Sequence, residues 1–115
     1  MKKIAIITGA TGGIGQEFVR QILRYDLDEV WAVGRSETKL KEICHTYGER
    51  IITVVADLSE ISGIEKIERI FNYKFPFEYI SRFEELLSKK ERITEFFKEY
   101  NKFICAYIIN KVNEY

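Results

Sequence analysis

The chain has seven glycines in 115 residues, and four of them fall in one eight-residue stretch, Thr8-Gly9-Ala10-Thr11-Gly12-Gly13-Ile14-Gly15. The apolar run Ile4 to Ile7 precedes this stretch, and a segment with helical spacing follows it. A strand that passes through glycines into a helix leaves the first backbone N–H groups of that helix unpaired. They point outward at the positive end of the helix dipole, where an anion, most often a phosphate, binds. Each glycine has its own reason to be there: Gly9 permits a tight turn, Gly12 or Gly13 lets a diphosphate approach without meeting a Cβ, and Gly15 lets helix and strand pack closely. No Gly-Lys-Ser/Thr follows, so kinase and NTPase chemistry finds no support. The context points to a nucleotide or dinucleotide site, with a purely structural glycine turn as the alternative.

The elements that must position this loop are legible from periodicity. Ile4 to Ile7 reads as a strand buried on both faces. From Ile14 the period changes, and Ile14, Phe18, Ile22 and Leu23 share one helical face. Val30 to Val33 is a second strand. Ser36 caps a second helix that Gly48 closes, with Leu40, Ile43, Cys44 and Tyr47 on its core face. Ile51 to Ala56 is a third strand, and Ser62-Gly63-Ile64-Glu65 fits a capping box ahead of Ile67, Ile70 and Phe71. Residues 1–71 therefore alternate strand and helix, which predicts right-handed crossovers and an α/β fold with a parallel sheet.

Composition shifts after Phe71. Residues 72–79, "NYKFPFEY", hold the only proline and read as a connection with apolar anchors. Ile80, Phe83 and Leu87, then Ile93, Phe96, Phe97 and Tyr100, mark two amphipathic helices with a polar break at Ser88 to Lys90. Phe103 to Asn110 reads as a fourth strand, with a continued helix as the rival.

Bulk properties set outer bounds. Eighteen basic and eighteen acidic residues cancel, which gives no global attraction to nucleic acid or an anionic membrane and favours self-association. Cys44 and Cys105 form no metal-ligand pattern and suit reduced thiols. The apolar run after the initial Met-Lys-Lys ends at Thr8-Gly9, too short for a signal peptide, and no stretch is long enough to span a bilayer. A cytoplasmic single domain is the expectation. His45, the only histidine, has no carboxylate or serine at a telling spacing and reads as an exposed helix residue.

These residues resemble the short-chain dehydrogenases/reductases. Thr8 to Gly15 fits that family's Thr-Gly-x-x-x-Gly-x-Gly, and because residues 12 and 13 are both glycine it also fits the Thr-Gly-x-x-Gly-x-x-Gly of the extended branch. Gly34 to Leu40, "GRSETKL", is similar to the segment after the second strand, and Val54 to Ser59, "VVADLS", to the end of the third. The likeness covers about the first 70 residues, the N-terminal dinucleotide-binding half. It implies a Rossmann-type sheet of three parallel strands, with a fourth near the C-terminus. It also implies that Gly9, Thr11, Gly12, Gly13, Ile14 and Gly15 form the cofactor loop, with backbone from Thr11 to Ile14 facing the diphosphate and ribose. Asp57 and Leu58 would border the adenine, the Asp57 carboxylate accepting from its amino group; a turn or a helix cap is the structural alternative for Asp57.

Cofactor choice follows from charge. An NAD enzyme carries an acid at the end of the second strand for the ribose 2′-hydroxyl. Here Gly34 stands at that place, followed by Arg35 and Ser36. Arg35 can clamp a 2′-phosphate bidentately and the Ser36 hydroxyl can donate to it, which favours NADP(H) over NAD(H); a solvated arginine beside a helix cap is the plainer reading.

The family's catalytic serine, tyrosine and lysine cannot be assigned. Tyr107 and Lys111 have the Tyr-x-x-x-Lys spacing, but seven tyrosines and eleven lysines in 115 residues make about 0.7 such pairs expected by chance. Tyr107 sits in an apolar run, and no suitably placed serine precedes it. The run "AYIIN" is more similar to the family's fourth strand, with Asn110 at its first asparagine, although Lys111-Val112-Asn113 departs from that motif. The expectation is a truncated or divergent oxidoreductase-family protein that binds NADP(H), with the helical stretch Glu78 to Tyr100 covering the free sheet edge. The alternative is a non-catalytic nucleotide-binding or protein-interaction module. Partner-chain or self-association would use the aromatic C-terminal segment.

Overall fold

The computed structural model describes residues 2–74, 89–99 and 106–112. Its elements are β1 (Lys2–Thr8), α1 (Gly13–Ile22), β2 (Glu29–Gly34), α2 (Glu37–Tyr47), β3 (Ile51–Val55), α3 (Ile61–Lys74), α4 (Lys90–Glu99) and β4 (Ala106–Val112). The four strands form one sheet in the order β3-β2-β1-β4. β1 pairs with β2 and β2 with β3 in parallel, with Thr8 opposite Val33 and Gly34 opposite Val55, so the carboxyl ends of all three finish together. The α/β architecture with three parallel strands and flanking helices is the expected Rossmann type.

Both faces of the parallel strands are covered, which is why Ile4 to Ile7 and Val30 to Val33 are continuous apolar runs. On one face Ala5, Ile7, Val30, Ala32 and Ile51 pack against Val19 of α1 and Leu40 and Ile43 of α2. On the other, Ile4, Ile6, Trp31, Val33 and Val54 meet Ile64, Ile67 and Phe71 of α3, and Ile93 of α4 packs on this cluster. Trp31 is fully buried, tilted against Phe71, and its indole N–H donates to Glu29 at 2.9 Å. A salt bridge of 2.9 Å from Lys90 to Glu68 ties α4 to α3.

Ser36 and Gly48 bound α2 as expected: the Ser36 hydroxyl accepts from the Lys39 N–H at 3.3 Å, and Gly48 takes φ 93°. Arg50 holds the far end of α1, donating to the carbonyls of Leu23, Tyr25 and Leu27. Of these, the Leu23 carbonyl stands at the C-cap of α1, where the negative end of the helix dipole lies.

Four expectations are corrected. The core stripe of α1 runs through Gly15, Val19, Ile22 and Leu23, and leaves Ile14 71% and Phe18 43% exposed. The reason is Gly15, which must face the β1 turn and so rotates the helix by about 100° per residue away from an Ile14–Phe18 face. Helix α3 begins at Ile61, so Ser62 lies in its first turn rather than ahead of it. Gly63 is pressed against the Asp57 carbonyl, where a Cβ would lie 2.1 Å from that oxygen, and this contact draws the chain into the helix early. The same helix runs on to Lys74 and so absorbs the start of the expected 72–79 connection. Finally, β4 pairs with the edge of β1, and α4, the described part of the stretch expected to cover the sheet edge, lies against α3. The rest of the 72–79 connection, the helix expected around Ile80, Phe83 and Leu87, and Cys105 lie outside the described residues.

Candidate functional site

The carboxyl ends of β1, β2 and β3 bring together the glycine loop, Arg35, Ser36, Asp57 and Leu58. Two backbone hydrogen bonds lace these ends: Ala10 N–H to the Val33 carbonyl at 3.1 Å, and Ala56 N–H to the Gly34 carbonyl at 2.9 Å.

Within the loop the four glycines divide by cause. Gly9 has φ 65°, a conformation that a side chain disfavours. A Cβ on Gly15 would lie 1.9 Å from the Gly9 carbonyl oxygen, so the helix can sit this close only without one. The fold itself demands these two. Gly12 and Gly13 are different. Gly12 is the N-cap of α1 with φ −77°, which any residue adopts, and a Cβ there would find its nearest neighbour at 3.7 Å. A Cβ on Gly13 would meet nothing within 4 Å. Both are exposed. Gly13 opens the helix despite a propensity cost of about 1 kcal/mol relative to alanine.

The head of α1 is a set of donors without acceptors. Gly12 N–H bonds back to the Gly9 carbonyl at 3.3 Å, and the first helical bond runs from Gln16 N–H to the Gly12 carbonyl at 2.8 Å. Among the described residues nothing accepts from the N–H groups of Gly13, Ile14 or Gly15, and no side chain caps the helix. The first turn holds no acidic residue, so nothing there would repel an anion.

Around this opening, Arg35 is exposed, and its guanidinium makes no hydrogen bond or ion pair among the described residues. Ser36 is half-buried; its oxygen accepts the α2 capping bond, which leaves the hydroxyl hydrogen to donate elsewhere. Asp57 uses Oδ1 to form a turn, accepting from Ser59 N–H at 3.0 Å and Ser59 Oγ at 2.6 Å. These bonds hold its carboxyl below the usual range, the Ser59 hydroxyl contributing most, with a smaller effect from the Arg35 charge. Among the described residues no donor meets Oδ2. Both roles considered for Asp57, turn and ligand acceptor, are therefore sterically compatible. Leu58 is buried in the core cluster that also holds Trp31 and Ala56, so its side chain is not exposed at the site.

Two supports escaped sequence reasoning. Gln16 donates from Nε2 to the Thr11 carbonyl at 3.1 Å and braces the loop. Gly34 gives room to Thr11, whose methyl would lie 2.8 Å from a Cβ there. A glycine at the end of β2 was visible, but its packing against the neighbouring loop depends on strand pairing.

Among the described residues, the strand that carries Tyr107, Asn110 and Lys111 does not run as the family likeness implied. β4 runs antiparallel to β1, pairing Ala106 with Ile7, Ile109 with Ile4 and Val112 with Lys2. Asn110 therefore lies towards the amino end of β1, away from the glycine loop, and does not occupy the carboxyl-end place its likeness to the fourth strand implied. Tyr107 and Lys111 lie on this strand, four residues or about 13 Å apart along it, rather than one helical turn apart.

A family model described as "Polysaccharide biosynthesis protein" matches residues 5–81. The chain belongs to that family, and its fold and relatives are those of the short-chain dehydrogenases/reductases. Over 68 residues it is 37% identical to an uncharacterized oxidoreductase of Saccharomyces cerevisiae, covering 58% of this chain and 27% of the relative. Among solved structures it is similar to the KRED1-Pglu enzyme, at 30% identity and a TM-score of 0.56, covering 63% of this chain and 30% of that one. It is also similar to a serine dehydrogenase complexed with NADP+, at 26% identity and a TM-score of 0.50, covering 56% and 25%. The chain spans roughly a quarter of the length of these relatives. Among the described residues no helix is long and apolar enough to cross a membrane.

Proposed function

We propose that this chain binds NADP(H), in preference to NAD(H), as a divergent member of a reductase family. The observation that carries the proposal is the opening at the head of α1: two exposed glycines that the fold does not require, beneath backbone amides with no acceptor. A diphosphate supplies both the missing acceptors and the reason for the missing side chains. Thr11 to Ile14 would line the diphosphate and its ribose. Arg35 and the Ser36 hydroxyl would take the 2′-phosphate at the end of β2, where the family's NAD-type acid is absent. Asp57 Oδ2 and the Leu58 backbone would border the adenine. Bound cofactor would bring hydride chemistry, and this chain's contribution is to hold the adenosine side and its phosphates. Cys44, a free thiol, suits the reducing environment of the cytoplasm.

Calorimetric titration with NADPH and NADH tests the reading. Saturable binding is expected for both, with NADPH the tighter. Failure of both to bind would remove the nucleotide assignment, and equal affinities would remove the 2′-phosphate assignment.

A further inference from the structure

Helix α1 has an apolar flank that the core leaves open. At about 100° per residue, Ile14, Phe18 and Gln21 fall within about 60° of one another around the axis. They lie to one side of the line of Gly15 and Val19 that packs on the sheet. Bonds of 3.1 Å from Arg24 N–H to Gln21 and from Tyr25 N–H to Ile22 carry the winding on to Tyr25, which extends the same flank. Ile14 is 71%, Phe18 43% and Tyr25 67% exposed. Single exposed apolar residues are ordinary. Three along one helix leave roughly 300 Å² of apolar surface in water, the size of the largest patch on a typical monomer, which is often functional.

One edge of this flank is polar and has a direction. Glu17 accepts from Arg20 Nε and from Gln21 Nε2, both at 2.9 Å, and Gln21 Oε1 accepts from Arg24 at 3.1 Å. The row therefore runs from a carboxylate near the head of α1 to a guanidinium near its end. Two such rows side by side in parallel would set like charges level with each other. Reversed, they complement each other. Laid antiparallel across a two-fold axis near residue 20, a second α1 sets its Arg24 opposite Glu17, its Ile22 opposite Phe18 and its Tyr25 opposite Ile14. The charged groups stay at the rim, where they fix register and orientation more than affinity. The apolar side chains supply the attraction.

We infer that this flank of α1 is an interaction surface and that its partner is a second copy of the chain, joined through an antiparallel contact of Ile14, Phe18 and Tyr25. A net charge of zero removes the long-range repulsion that would oppose association. With its polar rim the contact lies at the low end of specific interfaces, about 1,200 Å² in total, so the dimer forms reversibly. The pairing also brings an aromatic ring of the second copy beside Ile14, whose N–H has no acceptor among the described residues.

Sedimentation velocity on the 115-residue chain, at about 10 to 500 μM, tests this. A reversible shift from monomer to dimer is expected as concentration rises. Phe18→Glu should weaken the dimer by about tenfold or more and keep cooperative melting. Glu17→Arg and Arg24→Glu should each weaken it by about twofold or more, since each sets like charges opposite one another. The double exchange should restore the parent affinity, which a mere loss of helix stability would not do. A chain that stays monomeric throughout overturns the inference, whether the flank is bare or covered by another part of the chain. A dimer that none of these substitutions weakens also overturns it and places the contact on another surface. Failure of the double exchange to restore affinity overturns the antiparallel arrangement. The NADP(H) reading stands or falls separately, by the titration above.

Discussion

Replacing Gly13 by alanine separates what the fold needs from what a ligand needs, because the two predict opposite signs. In the free protein the new methyl group has nothing within 4 Å. Gly13 opens α1 with no positive φ, so alanine adopts its backbone without strain. The substitution narrows the unfolded ensemble and favours the helix, a gain of about 0.4–1 kcal/mol, or roughly 2–6 °C in Tm for a domain of this size. The bound state has the opposite balance. If a diphosphate rests on the amides at the head of α1, the methyl stands in its path. Lifting it away loses at least one charge-assisted hydrogen bond, about 1.5–3 kcal/mol, which is about tenfold or more in Kd. The variant should therefore melt later and bind NADPH worse. Thermal unfolding without ligand, followed by calorimetric titration, reads both. A higher Tm with unchanged NADPH affinity would show that no phosphate approaches Gly13, and the cradle would be a turn only. A lower Tm would show that the space above Gly13 is not open.

Gly15→Ala should do the reverse: its Cβ would lie 1.9 Å from the Gly9 carbonyl and 2.9 Å from the Ala10 Cα, both backbone. A loss of about 1–3 kcal/mol or more in the free protein is expected by denaturant unfolding; an unchanged midpoint would contradict the close packing of α1 on the β1 turn. Arg35→Ala should weaken NADPH by about 10- to 100-fold and leave NADH nearly unchanged, since one charge-assisted partner of the 2′-phosphate is lost; parallel losses in both would refute the 2′-phosphate role. Ser59→Ala should raise the Asp57 titration midpoint, followed by NMR of its carboxyl carbon, because the Ser59 hydroxyl is the main cause of its lowering. The sign for stability follows. With its pKa lowered from 3.8, Asp57 contributes fully above that value, and the contribution is lost as pH falls through the lowered folded value. The variant should show less of this acid dependence, and an identical acid profile would count against it.

How much of this was readable beforehand depends on the range of the forces involved. The glycine loop was legible because its demands are local: a positive φ at Gly9 and a close approach at Gly15 leave no alternative residue within a few positions. Ser36 and Gly48 were legible for the same reason, as both act within one helical turn. Arg35, Ser36 and Asp57 could be placed near the loop because a parallel sheet aligns the carboxyl ends of its strands. The rotation of α1 was not legible. Its apolar residues fit two stripes, one through Ile14 and Phe18 and one through Val19 and Ile22, and periodicity does not rank them. The contact between Gly15 and Gly9 ranks them, and it crosses from helix to strand. Asp57 was ambiguous in a different way: the same carboxylate makes the Ser59 turn with one oxygen and offers the other.

The direction of β4 is the harder case, and it bears most on function. An apolar run such as "AYIIN" has the same pattern read forwards or backwards, since a strand alternates faces with period two in either direction. Likeness to a family's fourth strand fixes a place beside β1 but assumes a direction. Direction is decided by the connection that delivers the chain: a parallel neighbour must be entered at the amino end of the sheet, an antiparallel one at the carboxyl end. In this chain the entry lies at the carboxyl end, with Ala106 opposite Ile7. The reversal satisfies the backbone of β1 as well as a parallel strand would, which is why the fold tolerates it. The site does not tolerate it equally. Stabilising the sheet requires only that β1 be paired, whereas assembling a full dinucleotide crevice requires that the pairing strand end beside the glycine loop. β4 meets the first requirement and not the second: it begins at Ala106 opposite Ile7 and runs to Val112 opposite Lys2, at the amino end of β1.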